Sequence, residues 1–178
     1  MERKVNFHIL RSGYADYGNP CHNPVGAGGG QFCGGSDAGN VSFSSGKDLN
    51  RSHFDSWQGE RQFFARGALV DIKDGKPGFI LRHGGEVKGI TSMLTSTKNI
   101  EVVVLATKER GYGIKMMQEI CRIASEKNKG VSLTSTKEST GFYEKMGMKK
   151  GPKVPYLRSS NLFTFTKQET SDFAKRKL

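Results

Sequence analysis

The sequence predicts a mixed α/β (α+β) domain preceded by a glycine-rich arm, and three observations carry that expectation. Residues 67–107 read as β-rich runs punctuated by Gly-containing turns. At 100–128 a strand, a pair of glycines one residue apart and an amphipathic helix follow one another. Residues 1–50 differ from the rest in both glycine content and charge.

Of the 23 glycines, 10 fall in residues 1–50, which carry four basic and four acidic side chains; the whole net charge of +11 therefore lies in residues 51–178. From Gly13 to Gly46 the chain is Gly, Ser and Asn with few apolar anchors. Such a composition buries too little apolar surface to offset its ordering entropy. The expectation is an arm over residues 1–50, flexible or ordered by a partner, and one globular domain over residues 51–178.

Taken in order, residues 50–66 place Phe54, Trp57, Phe63 and Phe64 at loosely helical spacing behind a cap-like Ser52, but Gly59 interrupts the run, so only a short helix is expected. ALVDI (68–72), GFILR (78–82) and EVKGITSML (86–94) then read as meander strands, with turns at Asp74-Gly75 and Gly84-Gly85. IEVVVL (100–105) is apolar without a break after Glu101, as expected of a central strand buried on both faces. Past Gly113 the period turns helical, with Met116 or Met117, Ile120, Cys121 and Ala124 on one side and a stop at Asn128-Lys129-Gly130. VSLTST (131–136) is the next strand, STGFYEKMG (139–147) a short helix ended by Gly147, and NLFTFT (161–166) the last strand. The expected order is β-β-β-β-α-β-α-β.

No stretch approaches the roughly 20 apolar residues of a membrane span, and MERKVNFHIL is too short and turns polar too soon for a secretory signal. Three cysteines do not make a disulfide framework, so a cytoplasmic setting is expected. His8, Cys21, His22, Cys33 and His53 lack the paired spacing of metal ligands, so no metal site is expected. The basic C-terminal stretch, Lys145 to Lys177, suits an acidic partner, but no nucleic-acid module accompanies it; neither nucleic acid nor membrane is the expected partner.

Chemistry concentrates in VVVLATKERGYGIKMMQEI (102–120), where Gly111 and Gly113 sit between strand and helix. Free backbone N–H groups at a helix N-terminus, approachable because glycine carries no side chain, receive an anion such as a pyrophosphate. Lys108 and Arg110 add positive charge beside them. The same glycine pair is also found where a chain merely reverses direction.

KERGYGIKMM resembles the acyl-CoA-binding motif of the GNAT acetyltransferase superfamily, which runs Gln or Arg, two residues, Gly, one residue, then Gly or Ala; here these are Lys108, Gly111 and Gly113. STGFYEKMGMKK looks like the FYEKxGF segment of the same family, and the likeness covers residues 66–166. The resemblance implies a GNAT fold, a sheet splayed between IEVVVL and VSLTST, and acyl-CoA, acetyl-CoA first, lying in the gap along Val103 and Leu105. It places the pyrophosphate on main-chain N–H groups from Arg110 through Gly111, Tyr112 and Gly113 to Ile114, with Lys108 or Arg110 as charged supplements. Lysine at 108 keeps the charge of the family's arginine but loses its fork.

By the same resemblance Tyr143 falls on the tyrosine that protonates the departing CoA thiolate, the alternative being a packing aromatic beside Phe142. Thr136 stands where many members carry an asparagine that touches the cofactor arm. Glu101, with Glu86 behind it, is the acidic candidate for a general base, or else a solvated strand-end charge. The implied reaction is acyl transfer to an amine on a small molecule or protein. The arm segment NPCHNPVGAGGGQF resembles an HNPxGxGGGQF element of tailed-phage and mobile-element proteins. It implies docking on such an assembly through residues 13–46, in the host cytoplasm or the virion, and it opens the alternative of a non-enzymatic GNAT-fold structural protein.

Overall fold

The computed structural model describes residues 41–153 and 160–177. Their elements are strand β1 (Val41–Ser44), a 3-10 turn (Arg51–Phe54), helix α1 (Gly59–Lys73), strands β2 (Gly78–His83), β3 (Glu86–Thr95) and β4 (Asn99–Thr107), helix α2 (Tyr112–Glu126), strand β5 (Gly130–Ser135), helix α3 (Thr140–Met146), strands β6 (Lys149–Lys153) and β7 (Asn161–Phe165), and helix α4 (Lys167–Ala174). The strands form one sheet in the order β1-β2-β3-β4-β5-β7-β6. Every pair is antiparallel except β4 with β5, and that parallel pair is joined by α2, the crossover that parallel strands require.

Helix α2 forms because Met116, Met117, Ile120, Cys121, Ile123 and Ala124 recur at helical spacing and are buried against Ile100, Val102, Val131 and Leu133 of the sheet. Phe173 of α4 joins this core. The opposite face of the sheet is covered by α1, whose Ala65, Ala68, Leu69 and Ile72 meet Ile80, Val87, Ile90 and Ala106.

A β-bulge in β4 decides which face each of its residues serves. Ser92 stands opposite Val104 and Met93 opposite Val102, so Val103 is the extra residue. Before it, Ile100 and Val102 join the α2 core; after it, Val104 and Ala106 pack with α1 and Leu105 with α2. A regular strand would keep 102, 104 and 106 on one face. The expectation of burial on both faces is corrected accordingly: β4 is central, but Glu101 is exposed and Val103 is 41% exposed.

Three further expectations are corrected. ALVDI is the last third of α1, because the buried positions run at three- and four-residue steps through it, and Gly59 opens that 15-residue helix instead of cutting it short. Strand β6 and helix α4 were not expected at all. Residues 41–50, assigned to the arm by composition, belong to the sheet domain: Val41 pairs with His83 through to Ser44 with Ile80, Phe43 meets Phe79 edge-on at 5.5 Å, and Leu49 is 1% exposed. Residues 1–40, including the HNPVGAGGGQF segment, Cys21 and Cys33, lie outside the described residues. No helix among the described residues is long and apolar enough to cross a membrane.

Candidate active site

The sheet opens where the sequence resemblance puts a gap. The parallel ladder joins Asn99–Val102 to Gly130–Leu133 and stops there, while β4 runs on to Thr107 and β5 to Ser135, the latter paired with β7 on its far side. The bulge at Val103 falls at the point of divergence, where extra twist turns β4 away from β5. Beyond it no strand among the described residues pairs β4 on its β5 side, along the stretch that holds Val103 and Leu105.

The loop after β4 delivers the chain to α2 through Gly111, which sits at φ 92°, ψ −31°, a conformation that side chains oppose. No side chain caps the helix and no acid stands in its first turn. The N–H groups of Tyr112, Gly113 and Ile114 therefore retain the partial positive charge of a helix start.

Gly113 is also where α3 docks. A Cβ built on it would lie 3.0 Å from the Phe142 ring. Phe142 in turn meets Tyr143 at 5.0 Å between ring centroids, and Tyr143 meets Phe163 at 5.6 Å. The two sequence blocks thus come together as Gly113, Phe142 and Tyr143 in series. Tyr143 is 6% exposed, and burial pushes its phenol up to about 12.

The loop is fastened from behind. Lys108 donates its N–H to the Lys88 carbonyl at 2.9 Å, accepts at its own carbonyl from Arg61 at 2.9 Å, and pairs its ammonium with Glu86. Lys88 reaches Glu86 at 2.8 Å and Glu109 at 2.6 Å. The Lys108 hydrogen bond, then that of Lys88, holds the Glu86 carboxyl down to about 2. The Tyr112 hydroxyl lies 2.5 Å from His83 Nδ1, tying the first turn of α2 to the end of β2.

Several residues named from sequence are placed differently from one another. Arg110 is exposed beside Gly111. Ile114 and Leu105 are half-buried against the α2-side core. Thr136 is engaged locally, its hydroxyl 3.1 Å from that of Ser139 and its carbonyl accepting from Ser139 and Thr140. Glu101 lies in the closed part of the ladder opposite Ser132, on the face away from the core that holds Tyr143, so the two are not brought together. His83 and Glu109 carry no sequence mark, because their partners are 29 and 21 residues away. Cys121 is buried in α2 with its thiol pushed up to about 12, which excludes a thiolate nucleophile there. A cavity of about 140 Å³ lies elsewhere, between Phe43, Phe79 and Met93 and the last turns of α2.

No protein-family model and no curated protein matches the sequence. Solved structures do match the fold. One, described as a bacterial toxin, aligns with a TM-score of 0.62 at 15% identity over 79% of this chain and 98% of its own. A GNAT-family acetyltransferase from Bacillus cereus aligns with a TM-score of 0.54 at 13% identity, covering 73% and 98%. The chain has the GNAT fold. A PaiA N-acetyltransferase from Thermoplasma acidophilum in complex with coenzyme A shares that GNAT fold at a TM-score of 0.52 and 11% identity, over 71% of this chain and 99% of the other.

Proposed function

We propose that the protein is an N-acyltransferase that moves an acyl group, acetyl first, from acyl-CoA to an amine. The observation that carries this reading is the opening of β4 from β5 beyond Val102 and Leu133, which leads to the uncapped N-terminus of α2 at Gly111. Bound there, acyl-CoA supplies a thioester activated for attack by a neutral amine.

The residues fit that ligand in a graded way. N–H groups from Arg110 to Ile114 suit a pyrophosphate, Arg110 adds mobile charge, and the free edge of β4 at Val103 and Leu105 suits an extended pantetheine amide chain. Tyr143, held at about 12, is a neutral O–H donor across the physiological range. Full proton transfer from it to a thiolate with pKa near 8.5 is uphill by about 5 kcal/mol. Its role is therefore to donate a hydrogen bond to the thiolate as charge develops, and the departing thiolate takes its proton from solvent. Glu101 stands away from Tyr143, and the amine loses its proton through water.

The rival reading is a GNAT-shaped structural or interaction protein, favoured by the engagement of Lys108 with Glu86 and of Thr136 with Ser139. Docking on a phage-like assembly through residues 13–46 belongs to it and rests on the arm's motif.

A thermal shift with acetyl-CoA separates the two. At a hundredfold excess over Kd the enzyme gains about 2.7 kcal/mol of stability, and it releases free CoA when offered a suitable amine. Arg110→Met reduces the shift without disturbing the fold. Glycine variants are poor probes, because a side chain at Gly113 strikes Phe142 and one at Gly111 strains the backbone at φ 92°. No shift at millimolar acetyl-CoA overturns the acyltransferase reading.

A further inference from the structure

We infer that Glu86, Lys88, Lys108 and Glu109 form a positioning cluster that holds loop 108–111 in its anion-receiving shape, with Lys108 a strut of that loop and Arg110 the side chain that meets the ligand's phosphates. The inference rests on the acyl-CoA reading of the site for its ligand, and on the ligand-free geometry for the strut.

Lys108 has three groups able to bond, and all three are taken by partners outside α2. Its N–H goes to the Lys88 carbonyl, its carbonyl to Arg61, and its ammonium to Glu86. Two lysines facing two glutamates leave the cluster neutral, so it offers no net charge to an anion. A single exposed ion pair contributes little. Here the two carboxylates are 51% exposed, but the lysine side chains are only 13% and 22% exposed, Glu86 is shared by both lysines, Glu109 is held by Lys88, and Arg61 adds a fifth contact from α1. The low position of the Glu86 carboxyl, set first by Lys108 and then by Lys88, is the signature of the same network. Arg110 lies two residues further on, exposed, next to the residue that turns the chain into the helix, and it makes no ion pair among the described residues. Its forked guanidinium suits a phosphate better than the ammonium of Lys108 does.

A charge exchange distinguishes strut from ligand. In the ligand-free protein, Lys108→Glu speeds hydrogen exchange of amides 108–112 by about tenfold, and the double exchange Glu86→Lys with Lys108→Glu restores protection to within about threefold of the parent. CoA affinity, measured by calorimetry on the same proteins, follows the same pattern. Arg110→Met weakens CoA binding by about tenfold while leaving the amide protection unchanged. If Lys108→Glu leaves too little folded protein, Lys108→Met and Glu86→Gln serve in its place and raise loop exchange alike. A double exchange that restores protection but not CoA affinity makes Lys108 a ligand and overturns the inference, as does unchanged loop exchange in the single variants. If the parent protein itself takes no CoA, the acyltransferase reading fails, and the amide data still decide the strut.

Discussion

Tyr143 sits between Phe142 and Phe163 with its phenol held at about 12, because a phenolate there would face aromatic rings in place of water. The sign of the consequence is definite. Between the ordinary phenol value of about 10 and the folded value of about 12, the unfolded chain binds fewer protons than the folded one, so stability falls as pH rises through that window. Tyr143→Phe removes this increment, and denaturant melts at pH 9 and above show it as a shallower alkaline decline; equal slopes in both proteins sink the assignment. The same variant lowers turnover by about a hundredfold and leaves the acetyl-CoA Kd unchanged, since it deletes one donor and no packing surface. The turn at Gly111 and the helix start that holds Gly113 were legible in the sequence because that signal is local, whereas Tyr143 was marked by the family resemblance alone. The engagement of Lys108 was not, since Glu86 is 22 residues away and only the β3–β4 register brings it near.

Helix α4 was not expected, although its start carries a local signal. Thr166 accepts from the Glu169 N–H at 3.3 Å, while Glu169 accepts from the Thr166 N–H at 2.8 Å, a reciprocal capping box spelled T-K-Q-E in the sequence. Thr166→Ala costs about 1 kcal/mol in a denaturant melt. The Thr166 N–H, then Lys149, holds the Glu169 carboxyl down to about 2, so its contribution is present above the ordinary carboxylate range and is lost as pH falls toward 2. An unchanged midpoint for Thr166→Ala would show the cap to be idle. Other elements carried no such mark. VSFS at β1 is four residues long and owes its strand state to β2, and KKGPK at β6 has lysines and a proline that suit an edge strand and no interior one. ALVDI was ambiguous because a short apolar run fits either period until its neighbours are known. The bulge at Val103 left no trace in an uninterrupted apolar run, although it decides which residues face the gap.

At the scale of the molecule, residues 41–50 tie the two cores together. Leu49 is buried in the α1-side core, Phe43 packs against the α2-side core, and Asp48 reaches Arg82 at 3.2 Å. Removing them exposes the edge of β2 along Ile80 and Leu81, both fully buried. A chain spanning 51–178 therefore loses at least the burial of Leu49, about 1.5–3 kcal/mol. At about 2–6 °C per kcal/mol for a domain of this size, it melts about 3–18 °C below a chain spanning 41–178. The loss reaches the candidate site as well, because β2 carries His83, which holds Tyr112 at the start of α2. Scanning calorimetry of the two chains, with and without acetyl-CoA, measures both effects. Equal melting temperatures would return residues 41–50 to the arm. A lower melting temperature with a diminished acetyl-CoA shift makes the edge strand part of what keeps the turn at Gly111 in place.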